Sequence, residues 1–236
     1  MVKFFRHIRK SLLNEGNSTK YLKYAIGEIL LVVIGILIAV QINNWNEGRL
    51  NKISETKLLK ELLEDVKVDS IFFLARQDYL LQHLEQVKNL NSISSGNSTD
   101  SILNIPYNGN PIFDISVAYQ SAVVTNNKEK IDQFSNDNIK ELLRKYNLRH
   151  HYITLAYEQK DRYFERYANP LFLKYFDKSV TVGSTFTLLE YYTIIEFKKN
   201  KKLLNFVNGA VDNSLIRTNE FLKVNFELQK SIKAKL

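Results

Sequence analysis

Residues 24–45 read YAIGEILLVVIGILIAVQINNW. Ile29 to Val40 carries no polar side chain; Ala25, Ile26 and Gly27 extend the run in front and Ile42 behind. From Tyr24 to Asn43 there are about 20 residues, which at about 1.5 Å each span about 30 Å, the hydrocarbon thickness of a bilayer. Tyr21 and Tyr24 flank one end and Trp45 the other, where aromatic rings favour the membrane–water boundary. A buried helix of a soluble core leaves those flanks unexplained. A cleaved signal peptide fits worse, because more than 20 residues precede the run and Leu37 two before Ala39 breaks the small-x-small cleavage pattern. The stretch is predicted to be an uncleaved transmembrane helix over residues 21–45.

Working outward, Lys3, Arg6, Arg9, Lys10, Lys20 and Lys23 precede the span against Glu15 alone. Arg49, Lys52, Lys57 and Lys60 follow it, mixed with Glu47, Glu55 and Glu61. The bias predicts a cytoplasmic N-terminus in the inner membrane and a periplasmic domain from residue 46 to 236. Residues 1–20 form the cytoplasmic basic segment. Within it Phe4, Phe5, Ile8, Leu12 and Leu13 share one helical face, with Lys3, Arg6, Arg9 and Lys10 around the rest. That pattern predicts an amphipathic helix lying on the inner surface, the alternative being an unstructured basic tail. Phe4, Phe5, Arg6, Arg9, Lys10 and Trp45 are the expected interface residues. Asn14 to Thr19 reads as a hinge.

The formal charge is +8. Residues 1–24 contribute +5, residues 46–236 contribute +4, and Glu28 supplies the −1. The outer domain is thus nearly balanced, which gives no reason to expect nucleic acid; the basic end is explained by topology and anionic headgroups. There is no cysteine, so disulfides, thiol nucleophiles and Cys-zinc sites are excluded. Eight Gly, three Pro, 13 Tyr and 14 Phe suit a helical protein with an aromatic-rich core.

Beyond the span, Leu59, Leu62, Leu63, Val66, Phe73, Leu80, Leu84 and Val87 recur at helical spacing, predicting one helix from the membrane to about Leu90. Asn91 to Pro111 is loop chemistry. Asp114 is a candidate cap for a helix to about Thr125 with Ile115, Ala118, Tyr119 and Ala122 inward. Ser135 offers a cap for a long helix to about Ala168, ended by Pro170. In Leu171 to Gly183, LFLKYFD reads as a short helix and SVTVG as a strand-like or irregular connector. Thr185 to Lys199 and Asn200 to Leu236 complete the set as helices. The fold class is all-α: an amphipathic helix, one transmembrane helix, and an elongated antiparallel bundle.

FFRHIRKSLL and YAIGEILLVVIGILIAVQINNWNE together resemble an uncharacterised family of single-span membrane proteins in Bacteroidota. The likeness is specific over residues 4–50 and weaker in AYQSAVVTNNKEKIDQFSNDNIKELLRKYN, which is similar to that family's helix-turn-helix segment. The resemblance implies a membrane-anchored helical domain and carries no activity.

Glu28 lies one turn inside the span, where a carboxylate costs up to about 2.5–3.5 kcal/mol at mid-membrane and less near the edge. It would serve ion coupling, as in single-span subunits of energy-transducing complexes, or reach headgroups or pair with Lys20, Lys23 or Lys3. Gly27, Gly35 and Ala39 present small residues that let another helix approach, or are ordinary usage in a span. Glu28, Gly27, Gly35 and Ala39 are therefore the candidate helix-pairing residues. His150 and His151 are adjacent, so their side chains diverge by about 100° on a helix, and HExxH spacing is missing. No metal or cofactor is expected. His83 stands alone beside the first stripe. Lys198, Lys199, Lys201 and Lys202 form a charge run at a helix junction, read as a solvated turn. Tyr152, Tyr157, Tyr163, Phe164, Tyr167, Phe172, Tyr175 and Phe176 form an aromatic series, either core or the lining of a ligand cavity.

No nucleotide-binding, hydrolase or kinase motif occurs. The expectation is a non-enzymatic interaction or scaffold module whose partners are the bilayer and either its own copies or another membrane protein. A ligand-binding sensor bundle with an aromatic pocket, or an ion-coupled subunit using Glu28, are the alternatives.

Overall fold

The structure is a computed structural model that describes residues 18–108, 119–127, 129–168, 170, 185–187, 189, 190, 192 and 201–236. The expected surface helix, with Phe4, Phe5, Arg6, Arg9 and Lys10, lies outside the described residues, as does Leu171 to Gly183. The chain divides into two units, Met1–Thr56 and Lys57–Leu236.

Helix α1 runs from Ser18 to Ser94 and belongs to both units. In the first, Ile29 to Val40 presents ten large apolar side chains, all exposed. Among the described residues this is one helix long and apolar enough to cross a membrane. A carbon added at Gly27 or Gly35 meets nothing within 4 Å, so a neighbouring helix would find both positions open.

In the second unit α1 turns one face inward. Leu59, Leu62, Leu63, Val66, Phe73, Leu80 and Val87 are buried, as their spacing predicts, and Leu90 is buried too, while Leu84 of the same stripe is only partly buried. The helix continues four residues past Leu90. Gly96, at φ +72°, then closes it: its N–H reaches Ile93 O at 3.1 Å while Asn97 N–H reaches Ser92 O at 3.0 Å. This is a Schellman turn, and a residue without a Cβ takes the left-handed position at least cost. A short helix α2 (Asp100–Leu103) and a strand β1 (Pro106–Asn108) follow.

Helix α3 (Ala122–Asn127) starts later than the sequence suggests. Residues 119–121 are not helical. Ser121 takes the capping role, its Oγ accepting from Val124 N–H at 3.2 Å. The proposed cap Asp114 lies outside the described residues. After a 3-10 turn at Ile131–Gln133, helix α4 spans Asp137–Tyr163. Its cap is Asn136 rather than Ser135: the Asn136 Oδ1 accepts from Ile139 N–H at 3.1 Å. A π-turn follows at Phe164–Ala168, and Pro170, the expected terminator, is itself helical. Strand β2 (Thr185–Thr187) pairs antiparallel with β1, Tyr107 facing Phe186. This corrects the helix expected from Thr185; β-branched threonines on either side of a phenylalanine suit an extended pair. Helix α5 (Lys201–Lys235) closes the chain.

Apart from that small ladder the fold of the described residues is all-α. Helix directions follow from the contacts. Phe73 meets His150 and His83 meets Phe164, so α1 and α4 run parallel. Arg149 pairs with Glu220 and Asn138 with Ser231, so α5 runs against α4. Phe73 on Phe221 and Ser70 beneath Gln229 set α5 against α1 as well. Two neighbours are thus parallel in a bundle expected to alternate.

Candidate functional site: a buried carboxylate and an aromatic groove

Asp69 is fully buried, on the apolar face of α1 between Val66 and Phe73. A carboxylate there survives only if its oxygens accept hydrogen bonds. Tyr119 Oη donates to Oδ1 at 2.5 Å, Ser121 Oγ donates to Oδ2 at 2.5 Å, and Tyr146 Oη donates to Oδ2. Helix α5 completes the cluster. Asn225 Nδ2 donates to Val66 O at 2.9 Å and to Tyr146 Oη at 3.3 Å. Gln229 Nε2 donates to Asn225 Oδ1 at 2.8 Å and Ser70 Oγ at 3.3 Å. The hub therefore ties α1, α4, α5 and the segment before α3 together. Burial, reinforced by the adjacent Asp69 carboxylate, pushes the Tyr146 and Tyr119 phenols well above the usual tyrosine range. Both stay protonated as donors.

His150 is half-buried, its ring 6.2 Å from Phe73 and 5.9 Å from Phe221. Burial lowers its pKa from the ordinary 6.5, against an opposing pull from Asp69. The unfolded chain therefore binds a proton more readily than the folded one. The contribution is intact above about pH 6.5 and is lost as pH falls toward the lowered folded value. Urea unfolding at pH 7.5 and 5.5 is expected to show wild type losing stability on acidification. His150→Phe should lose less; an equal loss would show that His150 does not carry the slope.

His83 and Lys160 are also buried. Lys160 Nζ stands 5.9 Å from the Tyr157 ring centre and 5.6 Å from Phe164. Tyr157 Oη shares a 2.8 Å hydrogen bond with Thr218 Oγ1. His151 is exposed. Among the described residues no three His, Asp or Glu side chains are grouped to hold a metal ion.

The aromatic series divides. Tyr157 and Phe164 are core, while Tyr152 and Tyr167 are exposed; Phe172, Tyr175 and Phe176 lie outside the described residues. Tyr163 edges an open groove of about 270 Å³ on the outside of the bundle, lined by Gln159 and Tyr163 of α4 and Asn205, Phe206, Gly209, Ala210 and Asn213 of α5.

Of the helix-pairing candidates, Glu28 is partly covered, while Gly27 and Ala39 are exposed along the apolar segment. Trp45 is 69% exposed. Lys198 and Lys199 lie outside the described residues. Sequence reasoning missed the Asp69 hub. The signal was present: Asp69 interrupts the stripe Val66–Phe73, and Asn225 interrupts Leu222–Leu228. A polar residue at a core position implies a partner at another core position.

Residues 28–200 match a family of unknown function (DUF6090), and the chain belongs to that family. The match takes in Glu28, Asp69, Tyr119, Ser121 and Tyr146 but stops before Asn225 and Gln229. No curated protein and no solved structure matches the chain.

Proposed function

We propose that the chain is a single-pass, non-enzymatic interaction module of the inner membrane. Its N-terminus is cytoplasmic and its helical bundle periplasmic, and it acts by protein–protein contact, foremost with further copies of itself. Ten large apolar side chains exposed between Ile29 and Val40 support the membrane part, since water would solvate that surface at a cost of about 25 cal/mol per Å². Saturation of Asp69 by three hydroxyl donors supports a structural rather than catalytic role for it.

One observation carries the interaction reading. Val68, Ile71 and Leu74 are 56%, 69% and 40% exposed on α1, on the side away from Val66, Phe73 and Leu80. Apolar side chains at three-residue steps on a solvated helix face make a strip that another helix covers. Gly27, Gly35 and Ala39 on the same helix offer close approach within the membrane.

The chain lacks cysteine, so a single one can be placed at will. In oxidised membranes Ile71→Cys is expected to give a species of twice the chain mass, and Glu227→Cys on α5 is not. Monomer alone with Ile71→Cys, or equal dimer from both variants, would contradict self-association through this face.

A further inference from the structure

The groove between α4 and α5 has a composition the interaction reading does not use. Two aromatic rings, Tyr163 and Phe206, line it, and Tyr167 stands next to them outside the lining. Tyr163 and Phe206 are 5.8 Å apart, Tyr163 and Tyr167 6.2 Å, and Tyr167 and Phe206 6.3 Å with planes only 9° apart. Phe206 is 54% exposed, so its ring faces outward instead of filling the core, whereas the Tyr167 ring has the Arg166 guanidinium 5.7 Å from its centre. Beside Tyr163 and Phe206 stand three carboxamides, Gln159, Asn205 and Asn213, and among the described residues none that lines the groove is charged. Gln159 Nε2 leans on Tyr163 Oη at 3.4 Å. Gly209, one turn from Phe206, leaves the floor open: a carbon added there meets nothing within 4 Å.

Each feature narrows the ligand. A charged molecule finds no counter-ion among the described lining residues. A purely apolar one strips water from three carboxamides without replacing their hydrogen bonds. Flat aromatic faces accept the C–H face of a sugar ring, and carboxamides both donate to and accept from hydroxyls. We propose that this groove binds a neutral saccharide, with Phe206 and Tyr163 as the stacking surface and Gln159, Asn205 and Asn213 as the hydroxyl partners. The site is independent of the self-association face on α1, so either can fail without the other.

The test uses the full chain in a detergent without a sugar headgroup. Cellopentaose, maltopentaose and the pentamer of N-acetylglucosamine are titrated by calorimetry, with adenosine as a neutral planar control. At least one oligosaccharide is expected to bind, and adenosine is not. Gly209→Leu should weaken binding at least about ten-fold by filling the floor. It should leave the melting temperature equal or higher, since leucine replaces glycine inside an exposed helical stretch. Phe206→Ala, truncating an exposed ring, should also weaken binding about ten-fold, and it decides the matter alone if Gly209→Leu does not fold. Absence of binding by all three sugars, equal binding of adenosine, or unchanged affinity in Phe206→Ala would overturn the assignment.

Discussion

Asp69→Ala is expected to lower the melting temperature of the bundle by on the order of 10 °C or more. The substitution orphans three hydroxyl donors at once, those of Tyr119, Ser121 and Tyr146. Each buried donor left without an acceptor costs about 1–3 kcal/mol, so the sum is several kcal/mol. Domains of this kind are stable by only about 5–15 kcal/mol. Desolvating a carboxylate is itself unfavourable, so this loss measures the stranded partners rather than a favourable charge. Asp69→Asn should fall between, because one amide oxygen still accepts while the amide nitrogen faces hydroxyls that already donate. Thermal unfolding followed by circular dichroism reads both. A shift within about 3 °C for Asp69→Ala would remove the hub from the account.

Phe73→Ala is expected to cost about 3–5 kcal/mol. Phe73 is 2% exposed and lies where four segments meet: its ring is 4.5 Å from Phe221, 5.1 Å from Phe72, 5.5 Å from Tyr119 and 6.2 Å from His150. Truncation removes the transfer term and leaves a cavity that helices held by the Asp69 hub cannot readily close. Phe226→Ala, at a position 47% exposed on α5, should stay within about 0.5 kcal/mol. Denaturant midpoints compare the pair. Equal effects would mean that the packing around Phe73 does not carry the bundle.

The long helices were legible because each carries an apolar stripe over several turns. Leu59 through Leu90 on α1, Ile139 through Tyr157 on α4 and Leu203 through Ile232 on α5 bury most of the residues their periodicity selects, with Leu84 only partly buried and Phe206 54% exposed. What was not legible depends on pairing between distant segments. Thr185–Thr187 became a strand because Pro106–Asn108 lies beside it, a partner nearly 80 residues earlier that no local pattern announces. Tyr119 left its expected helix because its hydroxyl meets Asp69, 50 residues away. The parallel α1–α4 pair had no sequence mark either, since stripes show which face is buried and not which way the neighbour runs. The groove is an intermediate case: Tyr163 stood in the aromatic series and Gln159 lies beside it on α4, but Phe206 and the other two carboxamides, Asn205 and Asn213, come from α5.

Membrane anchorage with the bundle outside the cytoplasm is tested most directly by labelling a single introduced cysteine in intact spheroplasts with a membrane-impermeant maleimide. Lys235→Cys, at the exposed end of α5, suits this because the chain has no other thiol. The proposed topology predicts full labelling before lysis, on protein that stays with the membrane pellet at alkaline pH. Labelling that appears only after lysis, or protein released by alkaline extraction, would contradict it.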